Sequence, residues 1–137
     1  MTEPKPKRKV ARPRPQTARQ KALLACRACL NFKAEEPVIL GVGKLTSFTD
    51  YFVIVSGRST RQVQAIAEGA LAAIRLSGSR ALSLEGEAEG RWVCVDWGDV
   101  IIHVFNQPLR EFYDLEKLWA DAKRVKPPKS WERHEAY

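Results

Sequence analysis

Four groupings of side chains in this 137-residue chain could carry chemistry, and each implies a different reaction. Cys26 and Cys29 make a C-x-x-C, the spacing of redox dithiols and of half a structural zinc site. Cys94 and His103 sit in neighbouring β-branched segments. With an acid such as Asp99 they would form the thiolate–imidazole machinery of a cysteine nucleophile. Asp96 and Asp99 flank Trp97-Gly98 and resemble the paired carboxylates of two-metal nucleotidyl transfer, which must converge on ions about 4 Å apart. Ser56-Gly57-Arg58-Ser59 lies between a strand pattern and a helix pattern, where a helix N-terminus can hold an anion.

Each grouping also has a simpler reading. The C-x-x-C falls in mid-helix within an Ala/Leu-rich stretch, so its i,i+3 spacing places two small residues on one face. Zinc would need two further ligands, and only Cys94, His103 and His134 remain. Nothing beside Cys94 resembles the helix N-terminus that would stabilise a thiolate. A turn aspartate commonly caps its own loop. The Ser-Gly-Arg-Ser turn has one glycine and lacks the phosphate-cradling P-loop pattern. Catalysis is therefore not expected, and neither a metal nor a cofactor is implied.

These groups must be positioned by periodic elements. Thr17 can cap a helix running to about Lys33, with Ala18, Ala22, Ala25, Cys26, Cys29 and Leu30 along one stripe. Val38–Val42 and Tyr51–Val55 read as buried strands. Ser59 or Thr60 can cap a helix whose apolar face is Val63, Ile66, Ala67, Ala70, Leu71 and Ile74, ending near Ser77-Gly78. Ala81–Leu84 is a short strand before an acidic, glycine-broken loop. A hairpin over residues 91–106 follows, and Pro108 starts a last helix through Ala122 with Phe112, Leu115, Leu118 and Trp119 as its core stripe. The order is α-β-β-α-β-β-β-α. It predicts a mixed, mostly five-stranded α/β sheet with helices packed mainly on one side.

The hairpin is the most telling element. A two-residue turn at Trp97-Gly98 would set Asp96 opposite Asp99, Val95 opposite Val100 and Trp92 opposite His103. One face is then Val93, Val95, Val100, Ile102 and Val104, a core surface. The other is Trp92, Cys94, Asp96, Asp99, Ile101, His103 and Phe105. Trp97 at the tip has little of its own domain to bury against. Aromatics clustered outside a core are the usual anchors of protein interfaces, so this mixed face is expected to dock a partner. Arg110 and Glu111, at the start of the last helix, read as surface charges or rim contacts.

The length and a 45% hydrophobic content allow one domain with an ordinary core. No apolar run approaches the roughly 20 residues of a membrane span. The N-terminal segment has no secretory pattern, and Pro4, Pro6, Pro13 and Pro15 would break an amphipathic presequence helix. With three cysteines, an odd number, this points to a reducing, cytoplasmic setting. The net charge of +7 is carried by the ends. Residues 1–21 hold eight basic groups and one acid, and residues 123–137 five and two, while the middle is mildly acidic. Residues 1–16 are expected to be a disordered basic tail, 17–122 the domain, and 123–137 a second basic tail. Such tails seek polyanions.

Three long blocks carry a resemblance. Thr49–Glu68 (TDYFVIVSGRSTRQVQAIAE), Glu85–Phe105 (EGEAEGRWVCVDWGDVIIHVF) and Arg110–Trp119 (REFYDLEKLW) are similar, in that order, to the ribosomal silencing factors, or Iojap-like family. The resemblance covers about Thr17 to Ala122. It implies a non-enzymatic translational repressor that binds the large ribosomal subunit at ribosomal protein L-fourteen. Occupying that face blocks joining of the small subunit when nutrients are scarce. It further implies a nucleotidyltransferase-like topology without the catalytic carboxylate pattern, and pairing as a homodimer. Carried over, the hairpin tryptophan is Trp92 and the family's Asp-Leu-Gly-Asp turn is Asp96–Asp99, with Trp97 where leucine is usual. Trp92, Asp96, Trp97, Asp99, His103, Phe105 and Arg110 are the expected ribosomal-protein contacts. The basic tails would meet rRNA. The alternatives from other classes are a nucleotidyltransferase-like enzyme using Asp96 and Asp99, and a general RNA-binding protein acting through its tails.

Overall fold

Local signals set the first elements. In a computed structural model, which describes residues 16–132 (Glu132 by its backbone alone), helix α1 spans Ala18–Asn31. It opens on a reciprocal capping box, in which the Thr17 hydroxyl accepts from the Gln20 N–H and the Gln20 side chain accepts from the Thr17 N–H. Strands β1 (Glu35–Gly41) and β2 (Tyr51–Gly57) follow, then helix α2 (Thr60–Leu76), capped by Ser59. Next come β3 (Ser83–Glu85), β4 (Trp92–Asp96) and β5 (Val100–Asn106). Helices α3 (Gln107–Tyr113) and α4 (Leu115–Leu118), strand β6 (Lys123–Val125) and a 3₁₀ turn (Lys129–Glu132) complete the chain as described.

The sheet is mixed, with strand order β3-β4-β5-β2-β1-β6. Among the described strands only β2 and β5 run parallel, joined by a connection that contains α2 and the β3–β4 excursion. The apolar stripes of α1 and α2 pack on one face, over Ile39, Val53, Val55, Val93, Val95, Val100, Ile102 and Val104. Burying each such branched side chain contributes about 1.5–3 kcal/mol. The smaller helices α3 and α4 cover part of the opposite face, where Leu109, Leu115 and Trp119 meet Leu40, Val42, Phe52, Ile54 and Phe105. The α/β architecture with its long helices on one side is as expected.

Three expectations change. The sheet has six strands among the described residues, because Lys123–Val125 pairs antiparallel with Ile39–Gly41. The segment from residue 123 is thus not a tail over its described part. Beyond Pro127-Pro128, Trp131 packs against the main core and the Arg27 guanidinium lies 5.1 Å from its ring centroid. Second, the last helix breaks at Asp114, which takes the left-handed conformation (φ 47°) and donates its N–H to the Arg110 carbonyl. A stripe cannot continue across that break, so Phe112 and Leu118 leave the core, 78% and 73% exposed. Third, the hairpin register moves. The turn is Gly98-Asp99, closed by the Trp97 N–H on the Val100 carbonyl, so Trp92 faces Phe105 and Cys94 faces His103. Gly98, at φ 89°, supplies the positive φ that a leading turn position needs. Moving the turn by one residue preserves both faces for the strand residues but adds Trp97, and with it the turn residue Asp99, to the core side. The expected tail over residues 1–16 lies outside the described residues apart from Gln16.

Candidate docking site

β4 and β5 present alternate side chains to the face that α3 and α4 only partly cover. There the Trp92 ring stacks on Phe105 (centroids 4.8 Å apart, 26° between planes) and meets Tyr113 at 4.8 Å. Its indole N–H donates to Nδ1 of His103 at 3.1 Å. His103 in turn stands edge-on to Phe52 at 4.9 Å, and Phe52 meets Trp119 at 5.2 Å. Phe48 closes one end of this chain of rings against Trp119, and Phe112 the other against Tyr113. The base of the cluster is buried while its two ends are open: Phe48 is 59% exposed and Phe112 more so, and Leu118, next to Trp119 in the chain, is exposed as well. The rings thus form one continuous ridge-like cluster that reaches solvent at both ends, which makes it the candidate docking surface of this face.

The electrostatics hold this face neutral where the rings meet. His103 accepts through Nδ1, so its proton sits on Nε2, which is buried without a hydrogen-bond partner. Burial pushes its pKa from the ordinary 6.5 down to about 4. Cys94 lies directly across from it, and burial, then Asp96 and Glu85, push its thiol up to about 11. The acceptor nitrogen that would take the thiol's proton is already engaged by Trp92. A cysteine–histidine dyad is therefore not assembled. Cys26 and Cys29 are buried under the sheet, and burial, then Cys26, raises the Cys29 thiol far above its ordinary value.

The two turn aspartates diverge. Asp96 accepts from the Gly98 N–H at 2.8 Å, capping its own turn, whereas Asp99 pairs with Lys21 of α1. They do not converge as a metal-holding pair. Among the described residues, no group of three or more His, Cys, Asp or Glu is arranged to hold a metal ion. In the Ser-Gly-Arg-Ser turn, Ser56 accepts from Arg110, Ser59 caps α2, and Arg58 pairs with Glu35.

The expected contact residues thus separate. Trp92, His103 and Phe105 come together on the ridge, with Trp92 half-buried and Phe105 forming the buried floor. Asp96 is half-exposed at the far end of β4. Trp97, expected at an exposed tip, is 3% exposed in the main core on the other side of the sheet. Its indole N–H donates to Ser79 Oγ at 2.8 Å and Lys21 sits over its ring, so α1 and the segment after α2 supply the cover that the hairpin alone lacks. Asp99 is on that same side through Lys21. Arg110 is not a rim charge: it is 5% exposed, donating Nη1 to Ser56 and Nη2 to Glu116, both at 2.8 Å. It ties α3 and α4 to the end of β2.

Sequence reasoning missed Phe48, Phe112, Tyr113 and Leu118 as exposed members of the site. Phe48 had a signal, a lone aromatic inside the polar run Thr46–Asp50. Phe112 and Leu118 read as core in a helical stripe that the break at Asp114 cancels, and Tyr113 falls on the helix's other strip.

Comparison with known proteins agrees with the blocks noted in the sequence. The family described as "Ribosomal silencing factor during starvation" matches residues 15–136. The ribosomal silencing factor of Bacillus subtilis is 43% identical over 105 residues, covering 75% of this chain and 89% of the relative. A mouse protein named "Mitochondrial assembly of ribosomal large subunit protein 1" is 36% identical over 89 residues, 63% of this chain and 39% of that one. A crystal structure of a Chromobacterium violaceum protein superposes with a TM-score of 0.75 at 33% identity, covering 85% of this chain and 99% of the other. Fold, sequence blocks and length agree: this chain belongs to the ribosomal silencing factor family.

Proposed function

We propose that this protein is a translational repressor that binds the large ribosomal subunit, at ribosomal protein L-fourteen, and by its bulk keeps the small subunit from joining, so lowering translation when nutrients are limiting. The observation that carries the reading is the aromatic cluster from Phe48 to Phe112, whose two ends no other described element covers. Such anchors each typically contribute about 2 kcal/mol or more to an interface. The mouse relative's name, which refers to assembly of the ribosomal large subunit, supports that subunit as the partner. Binding needs no covalent step, and the engaged Asp96 and Asp99 favour a binding protein over a nucleotidyltransferase-like enzyme. The same ridge suits a homodimer, in which case self-pairing and ribosome binding compete for it.

The test is sucrose-gradient sedimentation of purified subunits with and without the protein. Wild type should co-sediment with large subunits and lower the yield of joined ribosomes. Phe112→Glu, at an exposed position, should keep the fold by circular dichroism and weaken co-sedimentation about 30-fold, the equivalent of about 2 kcal/mol. Unchanged co-sedimentation of Phe112→Glu and Leu118→Glu would remove the ridge from the interface. Full joining in the presence of saturating protein would end the repressor reading.

A further inference from the structure

A second surface carries a different chemistry. Among the described residues β6 is the sheet's outer strand, hydrogen-bonded only to β1. From Lys123 to Trp131 the chain has four cations, Lys123, Arg124, Lys126 and Lys129, all exposed, and no acid. Arg124, Lys126 and Lys129 line a shallow cleft of about 200 Å³ floored by Pro37, Val38 and Ile39, with no acidic side chain in its lining among the described residues. Among the described residues none of the four forms an ion pair. Of the neighbouring acids on β1, Glu35 is taken by Arg58 and Glu36 stands exposed at the β1 bulge. Around the corner, Lys123 joins Arg19 and Lys44 at a larger cleft, where Asp50 and Asp121 offset part of the charge.

The other edge of the sheet has the opposite sign. Glu85 on β3, Glu87 and Glu89 in the loop behind it, and Asp96 on β4 all lie there. Five strand spacings put the two edges roughly 24 Å apart. That is about three Debye lengths at physiological salt, so each edge presents its own charge to a partner. Edge-strand cations also keep a sheet from pairing with other chains. That role covers Arg124 on the strand, but not Lys126 and Lys129, which lie beyond its end. Unpaired cations crowded on one cleft repel each other, and a run of phosphates relieves that repulsion while releasing counterions.

We infer that the β1–β6 edge is a contact for an RNA phosphate backbone, so the protein docks with two chemistries: an aromatic, acid-flanked face toward protein and a basic edge toward RNA. The identity of the polyanion as RNA rests on the ribosome-binding reading. The test uses the full chain and a short mixed-sequence RNA duplex, followed by fluorescence anisotropy between about 50 and 200 mM salt. In Arg124→Gln/Lys126→Gln/Lys129→Gln the log–log salt slope should become shallower by about 2–3, with at least a roughly tenfold loss of affinity. A companion full-length variant with Lys5, Lys7, Arg8, Lys9, Arg12 and Arg14 changed to Gln should retain measurable binding. Adding the three edge changes should then lower it further. An unchanged slope in the triple variant, or complete loss of binding in the companion, overturns the proposal. Should the triple variant melt early, single Arg124→Gln and Lys129→Gln changes, each flattening the slope by about 0.7–0.9, decide the matter. Phe112→Glu should leave RNA binding intact, so a failure of the ridge and a failure of the basic edge are read in different variants.

Discussion

His103 should make the fold acid-sensitive over a defined window. Its ring is enclosed by Trp92, Phe52 and Phe105, and Cys94 across the strand stays neutral at any pH near or below 7. Burial lowers its folded pKa to about 4, while the unfolded chain titrates near 6.5. Between those values the unfolded state binds more protons, so stability falls as pH falls. The contribution is full above about 6.5 and lost through about 4. At 1.36 kcal/mol per unit the whole span corresponds to about 3 kcal/mol, of which about 2 kcal/mol is lost between pH 7 and 5. The assay is urea unfolding at several pH values, comparing wild type with His103→Gln. Glutamine does not titrate, and its carbonyl oxygen can still accept from the Trp92 indole. Wild type should lose about 2 kcal/mol more than the variant from pH 7 to 5, a difference of roughly 10 °C in melting temperature. Parallel pH profiles for the two proteins would refute the claim that the fold holds this imidazole neutral.

Other consequences follow from named contacts. Arg110→Ala leaves Ser56 and Glu116 without their shared donor and should cost about 2–4 kcal/mol in thermal or urea unfolding; because Arg110 seats α3 and α4, co-sedimentation with large subunits should fall with it. Trp97→Ala should cost about 3–5 kcal/mol by cavity formation yet leave subunit binding by the folded fraction unchanged, since the ring lies on the far side of the sheet from the ridge. Replacing Gly98 with Val, at φ 89°, should destabilise the hairpin by about 1–3 kcal/mol, measured by the same unfolding assay. Cys94, with a thiol near 11, should alkylate far more slowly than a free cysteine at pH 8 when followed by mass spectrometry; rapid labelling would restore the case for a reactive thiol.

What the sequence determined by itself was everything governed by neighbours a few residues apart. Thr17 caps α1, Ser59, one of the two candidates, caps α2, and the two-residue alternation from Trp92 to Phe105 sorts the hairpin into an aliphatic and an aromatic face. That alternation survives the change of register, because moving the turn by one residue shifts the pairing by two and keeps each strand side chain on its own face; only Asp99, drawn into the turn, changes sides. The three family blocks were equally legible. Tertiary structure alone decided where the hairpin turn closes and which side chains other elements cover. The hairpin turn is held at Gly98-Asp99 by contacts from distant segments, Thr49 on the Gly98 carbonyl, Asp50 and Tyr51 on the Asp99 carbonyl, and Lys21 on the Asp99 carboxylate. Trp97 is core only because α1 and Ser79 close over it. β6 exists only because Ile39–Gly41 offers a free strand edge, as three residues hold no strand unaided. Arg110 reads as a surface charge until Ser56, fifty-four positions away, and Glu116 enclose it. Periodicity is written in the chain; partners across the sheet are chosen by which surfaces the folded chain leaves uncovered.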